Sequence, residues 1–105
     1  MKGSGKIIIK KIKRTYALSY TPEFEEDLES HKKSGNKSVL LKIEKLLGEL
    51  RNHPKTGTGK PEPLKGGLKG QWSRRITGKH RLIYEIDEEK IIVMAVSAYG
   101  HYDDK

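Results

Sequence analysis

In the stretch TYALSY, Tyr16, Leu18 and Tyr20 alternate with Ala17 and Ser19, the period-two pattern of a half-buried strand. Thr21 and Pro22 are residue types of an N-cap and a first helical position. Glu23, Glu25, Glu26 and Asp27 then place negative charge where the helix dipole is positive. This first helix ends at Ser34 and Gly35, and Asn36 suits the N-cap of a second. Within the second, Val39, Leu40, Ile43, Leu46, Leu47 and Leu50 recur at helical spacing as one apolar stripe, and Pro54 closes it. From Thr56 to Gly70, Gly and Pro exclude long regular structure. Three strand-like runs follow, QWSRRI, HRLIYEI and KIIVMAVSAY, joined by Thr77-Gly78-Lys79 and Asp87-Glu88-Glu89, both short enough for hairpins. The pattern predicts an α+β fold: one strand, two helices and a three-stranded antiparallel sheet, with the helices packed on one face.

Composition narrows the picture. The chain has 105 residues, of which 33% are hydrophobic, enough for one modest core. Residues 1–14, MKGSGKIIIKKIKR, read as a basic N-terminal extension, an edge strand, a disordered segment or a phosphate-binding arm, and residues 15–105 as a single domain. Cysteine is absent, which excludes disulfides and any thiolate nucleophile or ligand. His31, His53 and His80 do not share the spacing of one helix face, so no metal site is expected. No apolar run is long enough to cross a membrane, and the expected location is the cytoplasm.

The net charge of +8 is unevenly distributed. It amounts to +6 over residues 1–14, −2 over 15–50, +8 over 51–81 and −4 over 82–105. A concentrated basic patch attracts phosphates and releases their counterions, which points to nucleic acid; an acidic protein partner or a merely solubilising surface is the other reading. Glu62 is the one carboxylate among the nine basic residues of the 51–81 block.

Metal-free RNA cleavage can use the substrate's own 2′-hydroxyl as nucleophile. It then needs a base for that proton, an acid for the leaving 5′-oxygen and cations for the phosphate. The sequence holds each type: Glu62 as carboxylate, His101 as imidazole, and Lys65, Arg74, Arg75 and Arg81 as cations. Tyr102 is suited to stack on a base or hydrogen-bond the phosphate. Arg74 and Arg75 alternate on a strand, so only one faces the site, and Arg75 is preferred. Trp72 reads as core rather than base-stacking, and His80 as structural or as a neighbour acting on Arg81.

The strings GKPEPLK, GQWSRRIT, HRLIY and the closing His101-Tyr102 pair resemble the YoeB/Txe toxins of the RelE superfamily. The resemblance covers about residues 15–102 and is nearly position for position over residues 59–86. It implies a RelE-like fold and the toxin of a type II toxin-antitoxin system. The activity it implies is that of a ribosome-dependent endoribonuclease that cleaves mRNA in the ribosomal A site and inhibits translation. By this resemblance Glu62 is the general base, Arg81 stabilises the phosphate, His101 is the general acid and Tyr102 positions the nucleotide. Lys60, Lys65, Arg74 and Arg75 are then the RNA-binding candidates, and neighbouring cations favour the ionised form of Glu62 that a base requires. No cofactor is implied. The implied partners are mRNA on the ribosome and a YefM-like antitoxin, acidic and partly disordered. The helix stripe from Val39 to Leu50 either serves the core alone or leaves a patch for a homodimer.

One departure stands out. Family members often place a basic residue just before the final His-Tyr pair, where this chain has Ala98, Tyr99 and Gly100. Two other readings follow from the same residues: a non-catalytic RNA- or ribosome-binding module of the same fold, and a superfamily relative acting on another target such as a DNA topoisomerase.

Overall fold

The computed structural model describes residues 15–64 and 70–100. The basic extension of residues 1–14 lies outside them, as do Lys65, His101 and Tyr102. In chain order the elements are β1 (Ala17–Tyr20), α1 (Pro22–Lys33), α2 (Lys37–Leu50), β2 (Glu62–Pro63), β3 (Gln71–Arg75), β4 (Arg81–Asp87) and β5 (Ile92–Ser97). The strands form one sheet in the order β1-β5-β4-β3-β2, and both helices pack on the same face.

Both helices begin as their sequences require. Thr21 Oγ1 accepts the Phe24 N–H at 3.0 Å, and Asn36 Oδ1 accepts the Val39 N–H at 3.3 Å. Thr21 also donates to Val96 O at 2.6 Å, which ties the start of α1 to β5. Gly35, at φ +73°, makes the left-handed turn between the helices. From α1 Phe24 is buried, and from α2 Val39, Ile43, Leu46 and Leu50. They meet Leu82, Tyr84 and Ile86 of β4 and Val93 and Ala95 of β5. Leu40 and Leu47 are half-buried, so the stripe is mostly core, while Leu41 beside it is exposed.

The meander forms as expected, β3 antiparallel to β4 and β4 to β5. The sheet as a whole is mixed, because β1 pairs in parallel with β5. Alternation along TYALSY identifies a strand but carries no information on its direction relative to a partner some seventy residues away in the chain. The two-residue strand β2 is added at the other edge, antiparallel to β3 with Glu62 opposite Ser73.

One side chain under the sheet is neither apolar nor exposed. Arg74 of β3 is fully buried, and all five of its N–H groups are used. Nε donates to Tyr84 Oη at 3.2 Å, and Nη1 to Glu49 Oε1 at 2.7 Å and Thr58 O at 3.2 Å. Nη2 donates to His53 O and, at 2.7 Å, to Thr56 O. Glu49, near the end of α2, also accepts the Thr58 N–H at 2.9 Å and its hydroxyl at 2.7 Å. Tyr84 Oη donates to Pro54 O at 2.6 Å. Partial burial by itself would raise the Glu49 pKa, but the two bonds from Thr58 and the bond and charge of Arg74 outweigh it, and the net shift is downward.

Arg74→Met strands three loop carbonyls and the Glu49 carboxylate, and should cost about 3–5 kcal/mol by urea denaturation. A loss below about 1 kcal/mol would mean that the loop holds its shape without the guanidinium. Because the folded pKa of Glu49 is depressed, its contribution is complete above the unfolded value near 4.5 and lost as pH falls through the folded one. The stability gap between wild type and Glu49→Gln should therefore be widest at neutral pH and narrow below pH 4.5; a gap independent of pH would argue against this linkage.

Candidate active site

The loop that Arg74 holds leads directly to Glu62. Gly59 (φ +86°) and Lys60 (φ +52°) are successive left-handed residues that turn the chain onto the edge of the sheet. There the Arg75 N–H donates to Gly59 O at 2.7 Å. The backbones are so close that a Cβ on Gly59 would lie 2.8 Å from Arg75 O. Pro61 follows, and β2 sets Glu62 beside β3.

Residues directly opposite on paired strands share a face of the sheet. Glu62 is opposite Ser73, Arg75 opposite Arg81, and Ile83 opposite Ser97, all on the face away from the helices. There Arg81 Nη1 lies 3.3 Å from Glu62 Oε2 and donates to Ser73 Oγ at 3.0 Å. The Arg81 side chain is 18% exposed and that of Glu62 56%. An ion pair this open contributes roughly 0–1 kcal/mol to folding. A cleft of about 250 Å³ runs beside it, lined by Arg81, Ile83 and Ser97 together with Glu23, Leu64, Gln71 and Val96. The site thus has an accessible carboxylate, a guanidinium braced by a hydroxyl, and room for a ligand between them and the start of α1.

Of the candidates read from the sequence, Glu62 and Arg81 are brought together. Arg75 is exposed on the same face, next to Arg81 across the strands, and Lys60 is exposed on the approach to β2. Arg74 is a correction: with no exposed surface and five internal acceptors it cannot meet a phosphate, and it belongs to the core. Trp72 packs against the core, with Lys55 Nζ 5.9 Å from its ring centroid. Ser73 was missed by sequence reasoning; its only signal is its place two residues before Arg75 on an alternating strand.

The segment from Ala98 to Gly100 is held by side chains from distant parts of the chain. Asp27 Oδ2 accepts the Ala98 N–H at 2.8 Å, and the buried His31 donates from Nε2 to Ala98 O at 2.9 Å. His80 Nδ1 accepts the Gly100 N–H at 2.8 Å, and the Arg81 N–H donates to Gly100 O at 3.0 Å. The rings of His31, His80 and Tyr99 lie against one another, with centroids 4.6 to 4.8 Å apart. Sequence spacing had kept these histidines apart, since His31 lies on α1 and His80 in the β3–β4 turn; the fold makes them neighbours.

Two helices on one face of a five-stranded sheet, with an acid and an arginine paired on the other, make this an α+β protein of the RelE-like toxin fold. Residues 20–102 match the family described as "YoeB-like toxin of bacterial type II toxin-antitoxin system". Toxin YoeB of Streptomyces coelicolor is 40% identical over 72 residues, which span 69% of this chain and 83% of that protein. The YoeB dimer from Staphylococcus aureus superimposes with a TM-score of 0.72 at 35% identity, over 84% of this chain and 99% of that one. The toxin in the YoeB-YefM complex from Staphylococcus aureus does so with a TM-score of 0.69 at 36% identity, over 83% and 98%. The chain belongs to the YoeB-like toxin family of bacterial type II toxin-antitoxin systems. Among the described residues no helix is long and apolar enough to cross a membrane.

Gly59→Ala and Gly35→Ala make an informative pair. Both residues have positive φ, but a Cβ at Gly35 meets nothing within 4 Å whereas one at Gly59 meets the Arg75 backbone. Each should lose about 1–2 kcal/mol to left-handed strain, and Gly59→Ala a further 1–3 kcal/mol from the close approach. Equal losses in urea denaturation would show that the loop before Glu62 yields freely.

Proposed function

We propose that the chain is a ribosome-dependent mRNA endoribonuclease that cleaves in the ribosomal A site and so halts translation. The observation that supports this most strongly is the Glu62–Arg81 pair, half-open to water on the sheet face turned away from the core. Glu62 takes the proton of the ribose 2′-hydroxyl. The freed oxygen attacks the adjacent phosphorus in line, giving a 2′,3′-cyclic phosphate and expelling the 5′-oxygen of the next nucleotide. Arg81, braced by Ser73, stabilises the charge that builds on the phosphate, and its bond to Glu62 yields to the substrate. His101 protonates the departing 5′-oxygen and Tyr102 positions the nucleotide. Arg75, Lys60 and Lys65 bind the phosphates on either side. The attack draws its nucleophile from the RNA, so no metal is required, and cleavage should persist in chelator at concentrations that leave the ribosome intact.

The antitoxin is a YefM-like, acidic and partly disordered segment that folds over the basic block between Arg51 and Arg81. The solved complex of the Staphylococcus aureus toxin with YefM supports this partner, and the dimer of the same toxin supports self-association of this one. The cytoplasm, where ribosomes and mRNA meet, is the place of action.

Primer extension on a defined message in a reconstituted translation system tests the reading. Wild type should cut within A-site codons, and Glu62→Gln and His101→Gln should each lose roughly a hundredfold to ten-thousandfold while still binding ribosomes. Ribosome binding without any cleavage by wild type would leave a non-catalytic ribosome-binding module of the same fold.

A further inference from the structure

Ala98, Tyr99 and Gly100 carry no charged side chain and follow directly on β5. Their backbone is held at four points, by Asp27 and His31 at Ala98 and by His80 and the Arg81 N–H at Gly100. The two histidine bonds fix the ring tautomers. A carbonyl only accepts, so His31 carries its proton on Nε2; a backbone N–H only donates, so His80 Nδ1 is bare. Gly100 has φ +68°, the left-handed region that favours glycine. The Gly100 carbonyl is bonded to the backbone of Arg81, whose side chain meets Glu62.

We propose that His80 is a positioning residue: by accepting the Gly100 N–H at Nδ1 it fixes the backbone at Gly100, beside Arg81, immediately before His101 in the chain. This rests on the nuclease reading above. The ring is suited to the role. Titratable or charged groups reach it from each neighbouring element: Asp27 and His31 from α1, Lys79 from its own turn, Arg81 from β4 and Tyr99 after β5. Burial first, then the charges of His31 and Lys79, lower its pKa from the ordinary histidine value, with Asp27 in partial opposition. The neutral form, the one with a free lone pair, therefore prevails at neutral pH. In acid Nδ1 gains a proton, two donors face each other and the Gly100 bond is lost. Tyr99 packs its ring on both imidazoles, which adds ring contact to these bonds.

Two substitutions separate the acceptor from the bulk of the ring. Asn places Oδ1 near the position of Nδ1, whereas Phe fills the space with no acceptor. In the reconstituted system, His80→Phe should lower kcat roughly tenfold to a hundredfold with KM little changed, and His80→Asn should restore it to within a few-fold of wild type. Equal activity of the two variants, both impaired or both intact, would overturn the positioning role. A second readout needs no cleavage and no variant: in wild type, the Gly100 amide resonance should shift in step with the His80 ring as pH is lowered. If wild type cuts message while the Gly100 amide ignores the His80 titration, the positioning role alone fails. If wild type cuts nothing while that amide still follows His80, the nuclease reading fails and takes the catalytic role of His80 with it.

Discussion

A single guanidinium carries the most constrained interactions in this fold. Arg74 lies under the sheet, and a buried charge of that kind costs several kcal/mol in lost hydration unless every donor finds a partner. Here all five do, on α2, β4 and the loop after α2. That requirement shapes the loop. The carbonyls of His53, Thr56 and Thr58 turn inward, and Glu49 and Tyr84 close the network from helix and strand. A stretch with neither helix nor strand is thereby made rigid just before Glu62, and the left-handed Gly59 and Lys60 then set the carboxylate on the sheet edge.

Strand alternation connects this hub to the site. With Arg74 pointing inward, Ser73 and Arg75 point to the opposite face, where the registers of β2 and β4 place Glu62 and Arg81 beside them. The two faces divide the work. One is packed against helices and satisfied internally; the other carries the partly exposed Glu62–Arg81 pair. The block of positive charge from residue 51 to 81 is divided in the same way. Arg74 is inside, compensated by Glu49, so the field that a phosphate or an acidic partner meets comes from the remaining cations.

The segment from Ala98 to Gly100 is held by a similar device with different atoms. Side chains from α1 and from the β3–β4 turn bond to the backbone after β5, so the chain leaves Gly100 at a defined place beside Arg81. Both ends of the candidate machinery, the loop before Glu62 and the segment before His101, thus rely on side chain to backbone bonds where regular structure has run out.

The elements themselves were legible in the chain. Thr21-Pro22 and Asn36 marked the helix starts, the Val39 to Leu50 stripe marked the core-facing side, and the three alternating runs became β3, β4 and β5. These are local signals, set by capping, dipole and period, which act over a few residues. Glu62 was legible as a candidate because an acid isolated among cations is conspicuous in composition, Arg81 was one of four candidate cations, singled out by the family resemblance, and alternation already divided Arg74 from Arg75. The parallel pairing of β1 with β5, the partners that bury Arg74, the bracing of Arg81 by Ser73 and the meeting of His31 with His80 were not legible. Each depends on which strand lies beside which and in what register, a matter of long-range packing on which local periodicity is silent. Residue types and local periods thus decided which elements form and which groups are chemically able; only the closed sheet, through its register and its buried polar contacts, decided which of those groups meet.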